Sequence, residues 1–186
     1  TDFNAGDNEG AGYFEVNQKG GRRWSSARGF LKPALKRGNL RLLTGATVER
    51  VILDGRRATG VAFSCAGQEL IATAGKEVLL AAGAVHSPAL LELSGIGRPE
   101  VIRKAGIDVV HALDDVGENL QDHLQLRMVF RVRNARTLNQ VVNSLSGKVS
   151  MAAQYLWSRS GPLSMAPSQF GIFTRSSPDV ATPDLE

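Results

Sequence analysis

Apolar positions along this chain follow three rhythms. The clearest is alternation in the middle. "LRLLTGATVERVIL" (residues 40–53) runs up to Asp54-Gly55, a strong hairpin signal, and "RATGVAFS" (57–64) returns. Ala66-Gly67 then turns the chain again and "QELIATA" (68–74) follows, which predicts a three-stranded antiparallel meander.

The second rhythm is a short uninterrupted apolar run, Val78 to Ala82, of the kind buried on both faces of a sheet. Gly83 ends it. Ser87 is a good N-cap and Pro88 suits the first helical position, where its missing N–H costs nothing. Leu90, Leu91 and Leu93 make a helical stripe, and Gly95 suits the left-handed residue after the helix, with Ile96 as its apolar companion. The reading is strand, turn, helix, glycine stop. Pro99 and Gly106 then bound a short helix, and "IDVVHAL" (107–113) is a further short strand.

The third rhythm begins after "DDVGENLQDH". Leu124, Leu126, Met128, Phe130 and Val132 alternate with Gln125, Arg127, Val129, Arg131 and Arg133, which predicts a half-buried strand of an antiparallel sheet. We place a domain boundary near residue 124 on this change of texture. Residues 1–22 read as loop. Trp24–Lys36 reads as a helix capped by Ser25 or Ser26, kinked by Pro33 and closed by Gly38. Residues 137–161 read as mostly helical with a break near Ser146-Gly147, residues 161–168 as loop and residues 169–176 as a strand.

Composition changes this picture little. The chain has 186 residues, enough for one large or two small domains. Its net charge of +4, from 22 basic and 18 acidic residues, is too mild and scattered to imply nucleic acid. No apolar stretch reaches membrane-spanning length. The single cysteine, Cys65, excludes an internal disulfide and fits a reducing, cytoplasmic compartment. Thr1 and the abrupt "TPDLE" terminus lead us to expect a piece of a longer protein.

Common chemical motifs are absent. Gly10 and Gly12 are followed by Tyr13, Phe14 and Glu15, so no dinucleotide fingerprint is completed, and no phosphate-binding loop or nucleophile elbow is present. His86, His111 and His123 do not fall at metal-ligand spacing. Asp122 beside His123 invites a general-base reading, which the opposite pointing of adjacent strand residues weakens. His86, in the turn before the helix, suits a backbone-satisfying role.

Taken together, "AAGAVHSPALLELSGIG" (81–97) resembles the second signature of the glucose–methanol–choline (GMC) flavoprotein oxidoreductases. "VGENLQDH" (116–123) resembles the phrase that follows it in that family. "RRWSSARGFLKPAL", "NLRLLTGATVERVILDGRRATGVAF" and "GPLSMAPSQFGIFTRSSPD" resemble further segments, the last in the bacterial choline-dehydrogenase-like branch, so the likeness spans nearly the whole chain. It implies an α/β plus α+β fold. Residues 1–123 would be the second half of a Rossmann-like FAD-binding domain with its β-meander. Residues 124–186 would open an antiparallel-sheet substrate domain.

The resemblance also implies a cofactor, FAD, and a small-molecule alcohol as substrate. Val48 matches the position whose backbone meets the adenine of FAD, with Ala46 as a weaker neighbour. Gly83 and Ala84 match small residues that let the backbone pass close to the cofactor. A glycine at 83 is equally explained by a tight strand–helix turn. The family's catalytic histidine matches none of the three histidines here, so no catalytic residue is assigned. Choline-oxidising relatives carry Glu where this chain has Gln169, and a neutral amide is a poor partner for a quaternary ammonium. We therefore expect a parent that does not prefer choline. Two alternatives stay open: a non-catalytic module with an exposed sheet edge prone to self-association, and a lyase on the same fold.

Overall fold

Tight turns decide which strands meet in two of the sheets. The computed structural model describes residues 2–6, 8–166 and 168–186. In chain order its main elements are β1 (Gly10–Tyr13), β2 (Gln18–Lys19), β3 (Arg22–Arg23), α1 (Lys32–Ala34), β4 (Ala46–Asp54), β5 (Arg57–Cys65), β6 (Gln68–Thr73), α2 (Gly83–Leu93), β7 (Ile96–Gly97), α3 (Pro99–Lys104), β8 (His111–Ala112), α4 (Leu138–Val142), α5 (Leu145–Ser158) and β9 (Phe170–Phe173). They group into two compact units. One is Leu42–Met128. The other joins the residues up to Arg41 with Val129–Glu186.

In the first of these units the expected meander forms, in the order β4-β5-β6, all antiparallel. Gly55 turns the first hairpin at φ +57°, and Ala66 with Gly67 turns the second at +50° and +76°. At the second turn two successive left-handed residues twist the chain in the sense the strands need. Val51 and Phe63 are buried on this sheet, and Ile102 of α3 and Val116 are the other large apolar side chains buried among the described residues of this unit. Helix α2 packs against β4. The chain then leaves α2 through Gly95, which needs both its left-handed φ of +81° and its missing side chain, because a Cβ would stand 2.5 Å from the Asp108 carbonyl oxygen. β7 and β8 pair in parallel, and the Gly95 carbonyl accepts from the Val110 and His111 N–H groups.

Three expectations in this unit need correction. Val78–Ala82 joins no ladder, and Leu79 is 80% exposed. No described strand offers it a partner. Helix α2 begins at Gly83, four residues before the predicted cap. Ser87 caps from inside the helix, its hydroxyl accepting from the Ala82 N–H at 3.1 Å. Pro88 therefore lies within the helix, where it withholds the donor that Ala84's carbonyl would have met. The strand predicted over 107–113 shrinks to His111–Ala112.

In the other unit, residues 1–22 hold more than loop; Thr1 and Asp7 lie outside the described residues. β1 pairs antiparallel with β9, Gly10 facing Phe173 and Tyr13 facing Phe170. Rings of Phe3, Phe14 and Phe173 pack together with centroids 4.8 to 6.3 Å apart. Phe14 lies so close over Gly171 that any side chain there would collide with its ring. Gly20 and Gly21, both left-handed, turn the β2–β3 hairpin. The predicted helix at 24–36 is present over Ala27–Arg37 as successive π, α and 3-10 turns. The wide π turn precedes Pro33, whose ring crowds the carbonyl four residues back. Gly38 closes the run at φ +73°.

The second helical stretch breaks at Asn143-Ser144 and not at Ser146-Gly147. Thr137 and Gln140 form a capping box on α4, and the Ser144 hydroxyl accepts from the Gly147 N–H to cap α5. Gly147 serves close packing, since a Cβ there would lie 2.1 Å from the Val141 carbonyl oxygen. The strand predicted over 169–176 is present as β9, and the adjoining loop holds Pro167, which is outside the described residues. The strand predicted over 124–133 is absent: these residues form no ladder and are exposed throughout.

Candidate functional site

The four positions assigned to the cofactor fall in the unit Leu42–Met128, on two elements. Ala46 and Val48 lie on β4, opposite Cys65 and Phe63 of β5. β4 is an edge strand of the meander, so part of its backbone has no strand to bond. The register slips between Val48 and Arg50. A bulge of this kind bends an edge and re-aims its neighbours. Val48 is 38% exposed, against 6% for Val51 on the same strand. It is a surface-facing valine and not a core one.

Gly83 and Ala84 form the first turn of α2, and both are exposed. Gly83 has φ +85°, and a Cβ built on it meets nothing within 4 Å. The turn alone accounts for the glycine, and the space in front of it is open. The first four N–H groups of a helix have no intrahelical acceptor. An electron-rich group could meet them there. The residues present thus fit part of a flavin nucleotide site: an edge strand for a base, and a small, donor-bearing turn for close approach.

What joins the two elements was missed in the sequence. Ser94, at the end of α2, is 7% exposed. Its hydroxyl accepts from the Val51 N–H at 2.8 Å and donates to the Leu90 carbonyl at 2.5 Å. One side chain therefore pins the helix to the edge of β4, three residues beyond Val48. The only sequence signal was a small polar residue directly before the glycine stop.

Gln169 lies in the other unit, half-buried and immediately before β9. Its carbonyl accepts from the Phe14 N–H at 2.8 Å, so its backbone is held in the β1–β9 sheet. Its side-chain amide makes no hydrogen bond among the described residues. Asp122 binds the backbone N–H of His123 through Oδ1 at 2.8 Å, an arrangement of neighbours that does not orient the imidazole as a base. Among the described residues no group of three or more His, Cys, Asp or Glu is placed to hold a metal ion.

A family model described as GMC oxidoreductase matches residues 1–125. The human mitochondrial choline dehydrogenase is 40% identical over 185 residues, all of this chain and 31% of that protein. The alcohol dehydrogenase [acceptor] of Pseudomonas putida is 36% identical over 187 residues, again all of this chain and 34% of that protein. A formate oxidase structure from Aspergillus oryzae, solved in a study of FAD modification, superimposes with a TM-score of 0.77 at 26% identity, covering 89% of this chain and 29% of that one. The chain spans about a third of the length of the curated relatives it matches. It belongs to the GMC oxidoreductase family, whose cofactor is FAD.

Proposed function

We propose that this chain is part of an enzyme that oxidises an alcohol to a carbonyl, with FAD taking the hydride from the CH–OH carbon. The observation that carries the reading is the start of α2: a left-handed Gly83 facing open space, on a helix that Ser94 pins to the edge strand bearing Val48. Val48 and Ala46 offer backbone to the adenine, and Gly83 and Ala84 permit close approach of the cofactor. Residues 1–123 belong to the FAD-binding domain and 124–186 open the substrate domain. This chain supplies no catalytic residue, and its isolated part of the cofactor site does not hold FAD. The one cysteine supports a reducing, cytoplasmic setting.

An absorption spectrum of the purified chain, before and after adding FAD, tests this. We expect no bound flavin for the chain alone, and bound flavin reduced by an alcohol for the full-length parent. In that parent, Val48→Ala leaves FAD affinity within about twofold, because backbone and not side chain makes the contact, whereas Gly83→Val lowers it at least about tenfold through φ strain and lost space. Yellow flavin co-purifying with the chain alone would overturn the division of labour proposed here.

Substrate class rests on Gln169. The relatives named as choline dehydrogenases and as an alcohol dehydrogenase bracket the choice. A neutral amide at this position supports an uncharged primary alcohol over a quaternary ammonium. Substrate profiling of the parent decides it: a strong choline preference sinks the assignment, and a gain of choline turnover in Gln169→Glu supports it.

A further inference from the structure

We propose that the cavity beside the β2–β3 hairpin binds a small organic carboxylate carrying an apolar or aromatic tail. The inference goes beyond the flavin reading and uses only residues of the unit that contains Val129–Glu186. The cavity measures about 810 Å³, the size range of small-molecule sites. Arg22, Arg23 and Arg28 line it, and among the described residues no acidic side chain does. None of the three forms an ion pair or a side-chain hydrogen bond among the described residues. Three cations on one lining repel each other, and an anion among them relieves that repulsion. Each guanidinium also presents a planar fork of donors, which matches a carboxylate two bonds at a time.

The cavity keeps its shape without help from these arginines. Gln18 donates through Nε2 to the Ser164 carbonyl at 2.5 Å. Gly21 approaches the α5 terminus so closely that a Cβ would stand 2.1 Å from the Arg159 carbonyl oxygen. The Lys19 ammonium sits 5.1 Å from the Trp24 ring centroid, which braces the hairpin from its other strand. The hairpin is thus seated by residues other than the three cations, which leaves their donors for a ligand. Val16, Leu163 and Met165 supply apolar lining. Inorganic phosphate would use the charge alone, while a carboxylate with a tail uses both surfaces.

Isothermal titration of the full chain tests the proposal, with phenylpropionate, its neutral amide and inorganic phosphate as probes. We expect phenylpropionate to bind, and the amide and phosphate each to bind at least about tenfold more weakly. Arg23→Gln and Arg28→Gln should each weaken phenylpropionate roughly fivefold, the modest loss suited to exposed cations. The combined R22Q, R23Q and R28Q variant should not bind it. All three arginines are exposed, so circular dichroism should match the parent chain throughout. Arg57→Gln, an exposed arginine of β5, is the charge control and should change nothing. Equal binding of the amide or of phosphate, or an equal loss in Arg57→Gln, overturns the proposal. Flavin absorbance is read separately, so failure here leaves the flavin reading standing.

Discussion

The meander β4–β6 and the segment 124–133 carry similar alternating patterns, yet only the first forms a ladder. Val51 and Phe63 are 6% and 7% exposed, whereas Leu124 and Val129 are 91% and 94% exposed. Nothing in the alternation itself separates them. What separates them is the turn. Asp54-Gly55 and Ala66-Gly67 deliver a partner strand within two residues, whereas Asn134, left-handed at φ +57°, is followed by no strand that returns onto 124–133. Alternation states that a segment can present one apolar face; a hairpin turn states what it pairs with.

If that account is right, injury to the ladder should cost most. Gly60 lies in the middle strand, where a Cβ would stand 2.3 Å from the Ala72 carbonyl oxygen of β6. Gly60→Val must push two strands apart, at a cost of about 3 kcal/mol. Urea denaturation followed by circular dichroism should show it as a clear fall in midpoint. An unchanged midpoint would mean that β5 and β6 do not lie as close as described. Next comes the pin between sheet and helix. Ser94→Ala leaves the buried Val51 N–H without its acceptor, a loss of about 1–3 kcal/mol. Hydrogen exchange should then single out the Val51 amide as newly exposed, while Leu70 in β6, opposite Phe63, keeps its protection. Equal loss at both would show global unfolding and not a local pin.

The same contrast explains what was legible in the sequence. The meander and its turns were, because every pairing in it is local. So were the glycine stops at Gly38, Gly95 and Gly106, where positive φ leaves little choice of residue. The β1–β9 pair was not. "GAGY" has no alternation, and its partner lies about 160 residues away in the chain. The start of α2 was misplaced because Ser87 and Pro88 together mimic a helix beginning, while the hydroxyl in fact caps backward onto Ala82. Of the candidate site, Gly83 and Val48 came from resemblance. Ser94, the residue that joins their two elements, is legible only once helix and strand are seen side by side.

A smaller effect probes the turn that distinguishes the two regions. Gly55 has φ +57°, and a Cβ there meets nothing within 4 Å. Gly55→Ala therefore adds only conformational strain, about 1 kcal/mol. The midpoint should fall by about a third as much as in Gly60→Val. A larger fall would mean that the turn sets the register of the whole sheet and does not merely join two strands.

The smallest stability effect should come from the segment that lacks a ladder. Leu126 and Phe130 are 85% and 74% exposed and make no packing contribution to lose. Leu126→Lys and Phe130→Lys should leave the urea midpoint within about 0.5 kcal/mol. Their consequence should appear elsewhere. An extended run with one apolar side and unpaired backbone is a template for another chain. Sedimentation velocity of the unaltered chain should therefore show self-association that grows with concentration, and the two lysines should reduce it. Gly55→Ala, which alters the meander and leaves this segment alone, should not. If the lysine variants lower the midpoint as far as Ser94→Ala does, the segment is packed after all, and the contrast with the meander fails at its root.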